Sequence, residues 1–185
     1  IDVMGDPKYD AQQPLTDEEK EQLRKNFKLE IGTPVWIAGS THAGEEEIIL
    51  DAHQQLAVDH PNLVLILAPR RIERVEEVAT LLKKRNISFA LRSSLKQPET
   101  VILLDTMGEL AKVYSLGQVA FIGKSLVKPG GGHSLIEPLS FGLPVLHGPF
   151  VENIGHVADK AHELELAITV QNSRDIKEKV YNFLK

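Results

Sequence analysis

Wholly apolar runs alternate with segments of helical spacing along most of the chain. Leu63, Val64, Leu65, Ile66, Leu67 and Ala68 are apolar without a break, as in a parallel strand covered on both faces. Shorter runs of the same kind predict strands at residues 34–40, 101–104, 119–122, 144–146 and 167–170, with a weaker one at 87–91. Between them the apolar positions take a period near 3.6. Ile48, Ile49, Ala52 and Leu56 share one face of a helix over about 44–58. Further helices are predicted over about 72–84, over a short stretch ending at 114, over 134–141 and 153–164, and from 173 to the end. Thr16 followed by Glu19 is a capping box, and it starts a helix reaching about Phe27.

Strand, helix, strand, helix in this order predicts an α/β fold, a Rossmann-like parallel sheet with helices on both faces. Ligands of such sheets bind beyond the carboxyl ends of the strands. The loops after Ala38, Ala68, Leu104 and Ile122 all fall on that edge. Composition then narrows the partners. The chain of 185 residues carries a net charge of -5, which argues against a nucleic-acid partner. It has no cysteine, so disulfides and thiolate metal sites are excluded. No apolar run approaches the ~18 residues of a spanning helix, and no signal peptide is recognisable. The first residue is Ile1 rather than Met, which reads as a cut inside a longer protein.

Candidate chemistry lies in the loops. Gly130, Gly131 and Gly132, followed by His133 and Ser134, precede a short helix whose N-terminus offers N–H groups to an anion. Glu137 stands in its first turn, where it can accept from ribose hydroxyls; Ser134 and Glu137 also have the spacing of a capping box. Thr106, Met107, Gly108 and Glu109 follow a buried strand and carry the same two readings, a nucleoside contact or a helix cap. Arg70 ends the most apolar strand, placed to hold a phosphate or carboxylate. The turn from Gly39 through Ser40 and His42 to Gly44 is small and polar enough to admit a sugar or its acid group. Glu45, Glu46 and Glu47 read as helix-start charge. The seven histidines show no metal-ligand spacing, no Gly-x-Ser-x-Gly elbow is present, and no Gly-x-Gly-x-x-Gly opens the first strand-to-helix turn.

Taken in order, several pieces resemble the C-terminal domain of the Kdo (3-deoxy-octulosonate) transferases. They are Ala38 to His42, Ala68 to Arg70, Asp105 to Leu110, Ala120 to Gly123 with Ser125 and Leu126, Gly131 to His133, Glu137 with Pro138, and Gly142, Pro144 and Val145 with Gly148 and Pro149. The stretch from Val3 to Asp10 also resembles the point at which that family's chain passes into its second domain. The resemblance implies the C-terminal half of a GT-B glycosyltransferase. Residues 1–185 would form the CMP-Kdo-binding domain, with 1–30 leading in from an N-terminal acceptor domain. It further implies an inverting transfer to a lipid A precursor at the cytoplasmic face of the inner membrane, with no cofactor or metal. The general base would sit in the other domain, so this fragment alone would be inactive. Ser40, Arg70, Thr106, Met107, Gly108, Glu109, Gly131, Gly132, His133, Ser134 and Glu137 become the expected donor-binding residues. Ser134 stands where the family usually has Asn, Arg71 where it often has His, and Lys124 where it has Gly. Two other classes stay open: another GT-B sugar-nucleotide enzyme, such as a UDP-sugar transferase or epimerase, and a non-catalytic nucleotide-binding module.

Overall fold

The computed structural model describes residues 14–185, so the Val3–Asp10 resemblance lies outside the described residues. The strands are β1 Val35–Thr41, β2 Val64–Pro69, β3 Ala90–Leu91, β4 Val101–Leu103, β5 Val119–Ile122, β6 Val145–His147 and β7 Ala167–Thr169. They form one sheet in the order β3-β4-β2-β1-β5-β6-β7, and every pairing is parallel. The chain runs from β1 to β2, out to β3 at the edge and back to β4 between them, then crosses to lay β5 on the other side of β1. The gap between the carboxyl ends of β1 and β5 is therefore the switch point where such folds bind ligands.

Alternation along each strand divides the core in two. Val35, Ile37, Ile66, Ile102, Ala120 and Val145 point to one face. That face is covered by α1 Asp17–Asn26, α4 Leu110–Val113, α5 Ile136–Ser140 and α6 Gly155–Glu163. Trp36, Leu65, Leu67, Leu103, Val119 and Phe121 point to the other, under α2 Glu45–Asp59, α3 Val75–Lys84 and α7 Ser173–Phe183. The capping box at Thr16 and Glu19 forms, with bonds of 3.1 and 2.8 Å. Leu23 packs on the first face and Phe27 and Leu29 are buried in it, so the segment from α1 onward is part of this domain's core.

The strand expected over 87–91 keeps only Ala90–Leu91 at the sheet edge, and the helix expected over 134–141 only Ile136–Ser140. The short helix expected up to residue 114 forms at Leu110–Val113 and runs into a tighter turn at Tyr114. Ahead of it Gly108 takes a φ of 80°, and Asp105 is turned back to accept from the Ser93 N–H at 2.8 Å. Among the described residues no helix is long and apolar enough to cross a membrane.

Candidate functional site

Two adjoining hollows open at the carboxyl edge of the sheet. One, of about 340 Å³, lies between the ends of β2 and β4, against Ala68, Arg70, Thr106, Met107 and Gly108. The other, of about 360 Å³, is lined by Arg70, Tyr114, His133, Ser134 and Glu137. Ser40, Arg70, Gly108 and Leu110 border both, making a continuous cleft. A larger hollow of about 460 Å³ lies at the opposite edge, against Pro34, Pro61 and Thr100. Strand polarity, not volume, decides between the two edges, because only the carboxyl edge brings loops from every central strand into one crevice.

The backbone is bent to make that crevice. Ser40 takes a left-handed φ of 54°, and the β1–β2 register shifts between Gly39 and Thr41. This bulge carries the β1 loop over the switch point. A side chain at Gly39 would meet the Tyr114 hydroxyl at 2.0 Å, so Gly39 lets that ring close the floor of the cleft. Burial pushes the Tyr114 hydroxyl above its ordinary pKa, and the negative charge of Glu137 adds to the effect.

The expected site residues separate into three groups. Arg70 is exposed, and its guanidinium has no partner among the described residues; its backbone N–H is anchored to Thr41 O at 3.0 Å. Glu137 also has no side-chain partner among the described residues. Its capping box does not form: α5 starts after Leu135 without a side-chain cap, and the Ser134 hydroxyl accepts instead from Ile136 N at 3.3 Å. Met107 is 85% exposed, an apolar side chain held open beside Arg70. These residues, with Ser40, Thr106, Gly108, His133 and Ser134, face one space.

Glu109 does not join them. It pairs with Arg92 at 3.1 Å and accepts the Thr106 hydroxyl, while Arg92 also covers the Phe27 ring at 4.4 Å. Gly131 and Gly132 are buried, and their N–H groups are bound to Phe150 O at 3.1 Å and Lys124 O at 2.7 Å. The His133 N–H is bound to Gly123 O at 3.3 Å. A side chain at Gly131 would meet Asn153 at 2.3 Å. These glycines allow the loop to fold against residues 150–154 and offer no free donor to an anion.

Sequence reasoning missed what holds the two loops together. Glu45, read as helix-start charge, is fully buried. Its carboxylate accepts from the backbone N–H groups of His42, Lys124, Ser125 and Leu126, each at 2.9 Å. It thereby ties the β1 loop to the β5 loop across the switch point. Glu46, also buried, accepts the Thr41 hydroxyl at 2.8 Å and forms a two-pronged pair with Arg74 at 2.7 and 3.2 Å. Burial raises the Glu46 carboxyl above its ordinary pKa, against those hydrogen bonds. Only Glu47 of the three faces water.

The same closure brings His42 and His133 together, Nε2 to Nε2 at 2.9 Å with the rings stacked at 5.1 Å. Burial pushes His133 down to about 4, aided by His42 and by the positive charges of Arg70 and Lys124. Burial also lowers His42; Glu45 opposes this, and Lys124, Arg74 and Arg70 reinforce it. Each histidine follows a strand end, but only the strand order makes them neighbours.

No family model matches the chain. It is 39% identical over its whole length to the 3-deoxy-D-manno-octulosonic acid transferase of Haemophilus influenzae, of which it covers 43%. To the transferase of the same name from Aquifex aeolicus it is 33% identical over 80% of the chain, covering 41% of that protein. The chain thus spans less than half the length of these relatives. The crystal structure of the C-terminal CMP-Kdo binding domain of WaaA from Acinetobacter baumannii superposes with a TM-score of 0.84. That match has 32% identity and covers 90% of this chain and 88% of that one.

Proposed function

The chain belongs to the 3-deoxy-D-manno-octulosonic acid transferase family, and from that premise we propose that it is the donor-binding domain of such an enzyme, with the cleft at the carboxyl edge holding CMP-Kdo. The observation that carries the assignment is the pair of unpartnered, opposite charges, Arg70 and Glu137, lining one cleft beside the exposed Met107. A guanidinium without a partner suits a phosphate. A carboxylate without one suits two ribose hydroxyls, and an open thioether suits the face of a base. Ser40, Thr106, Gly108, His133 and Ser134 complete the walls.

In the whole enzyme an acceptor hydroxyl of a lipid A precursor attacks the anomeric carbon of Kdo, and CMP leaves with inversion. The N-terminal domain supplies the acceptor site and the base that takes the hydroxyl proton. This domain's part is electrostatic. Arg70, its backbone anchored at the strand end, brings its charge beside the phosphate, where negative charge grows as the bond breaks. The whole enzyme works at the cytoplasmic face of the bacterial inner membrane, and this domain alone transfers nothing.

Titration of the 185-residue chain with CMP tests the reading. The expected result is binding in the millimolar range, about -4 kcal/mol for half a cleft, with NMR shifts at Arg70, Met107, Gly108 and Glu137. Shifts confined to the Pro34 and Pro61 edge, or UMP binding as well as CMP, would overturn it.

A further inference from the structure

The nucleotide accounts for Arg70, Met107 and Glu137, but not for the imidazole pair. His133, on the β5 loop, lines the cleft and is bonded to His42 on the β1 loop, so the pair spans the switch point itself. Its placement is fixed from beneath. Glu45 holds the His42 backbone at 2.9 Å and the Lys124 backbone at 2.9 Å, while Gly123 O holds the His133 backbone at 3.3 Å. Two nitrogens 2.9 Å apart have room for one hydrogen between them. In the neutral pair one ring donates through Nε2 and the other accepts. A second proton, taken at the free Nδ1 of the donor ring, makes the pair a cation without breaking the shared bond.

The donor's chemistry supplies a group for that cation. In a 2-ulosonate such as Kdo, the carboxylate is attached to the anomeric carbon, the same carbon that bears the phosphate ester oxygen. Any site that grips the phosphate therefore has a second anion immediately beside it. Resting on the donor-domain reading above, we infer that His42 and His133 form the subsite for the donor sugar's carboxylate, with Arg70 beside them on the phosphate.

The charged groups bearing on the pair are Glu45 from α2, Arg70 from the end of β2, Arg74 from the turn leading into α3, and Lys124 from the β5 loop. Without ligand, burial and the nearby cations disfavour a positive charge on either ring, with Arg70 and Lys124 acting on both and Arg74 on His42. An anion placed among them offsets that positive potential and favours the protonated pair. Carboxylate binding therefore takes up a proton, and affinity for the acidic sugar rises as pH falls. The nucleotide alone lacks the second anion and gains less.

The test compares Kd for CMP and for CMP-Kdo on the 185-residue chain by calorimetry at pH 8 and pH 6. Variants His42→Gln and His133→Gln each remove one ring of the pair, the double variant removes both, and His156→Gln, at an exposed position of α6, is the control. The expected result is that the preference for CMP-Kdo over CMP falls roughly tenfold or more in either dyad variant, the size of a charge-assisted hydrogen bond, and is unchanged in the control. In the wild type the preference grows at pH 6, and in the double variant it does not. Equal losses for both ligands would assign the pair to the phosphate and overturn the inference, as would an unaltered preference. A wild-type chain that binds neither CMP nor CMP-Kdo would instead overturn the donor-domain reading. A dyad variant that fails to fold leaves a readout that needs no substitution: in the wild type, NMR titration of the His133 ring should show its pKa rising with CMP-Kdo more than with CMP. An equal rise rejects the carboxylate assignment.

Discussion

Glu45 and Glu137 are the same residue type, each beside a helix start at the same edge of the sheet, and their surroundings are opposite. The Glu45 carboxylate is fully buried and filled by backbone donors from two loops. It does within the protein what a bound anion does in a backbone nest. Glu137 lines the cleft and has no side-chain partner among the described residues. A carboxylate whose bonds are all made inside the protein contributes to the fold. One left open at a strand-edge crevice is available to a ligand. Sequence context left Glu137 with two readings, ribose contact or helix cap, and gave Glu45 only that of a charge at a helix start; the inventory of donors around each separates them.

Removing each carboxylate should break the comparison in opposite ways. The largest expected effect is on folding. Glu45→Ala leaves buried N–H groups without an acceptor, each costing about 1–3 kcal/mol. With partial relaxation the loss should be about 3–5 kcal/mol in urea unfolding. Glu45→Gln should also destabilise, because its amide places N–H against N–H. A Glu45→Ala chain as stable as the wild type would remove its structural role.

A second test separates core from cleft through the histidines. His53 is buried, accepts the Trp36 indole N–H at 3.1 Å, and is pushed down to about 4 by burial. Its folded pKa lies below the ordinary 6.5, so the unfolded chain binds the proton first as pH drops. The contribution of neutral His53 is complete above about pH 6.5 and is lost as pH falls toward 4, amounting to about 3 kcal/mol. His53→Asn keeps an acceptor for Trp36 and should lack this slope when unfolding is followed between pH 4 and 7. Ligand should leave the His53 titration in place and move that of His133.

The next effect is on binding. Glu137→Gln should weaken CMP by about 1.5–3 kcal/mol, the range for hydrogen bonds to a charged group. The measurement is made in the full-length enzyme, where starting affinity is high enough to resolve the loss. Unchanged affinity in a folded variant would take Glu137 out of the site. The smallest effect is on the stability of the same variant. With no capping box to lose, Glu137→Gln should shift unfolding by less than about 0.5 kcal/mol, and a larger loss would mean that it acts as a cap after all.

Much of the fold was legible in the sequence because burial on both faces leaves an unbroken apolar run, and Leu63 to Ala68 has no other stable use. The capping box at Thr16 was legible for a similar reason, since both of its bonds are made within one turn of chain. The same motif at Ser134 and at Thr106 failed because tertiary partners were better placed. Arg92 drew Glu109 away, and the glycine-rich loop turned to pack against residues 150–154. Arg70, Met107 and Glu137 could be named in advance because each sits where a strand or helix meets a loop, and the polarity of a parallel sheet sends those junctions to one edge. The sequence alone therefore determined the layered α/β core and the edge at which its strand-end loops gather into a cleft, through short-range periodicity. Only the tertiary structure decided that Glu45 closes the switch point and that His42 meets His133. Those contacts join β1 to β5 across about eighty to ninety residues, and their existence depends on strand order, which no local pattern encodes.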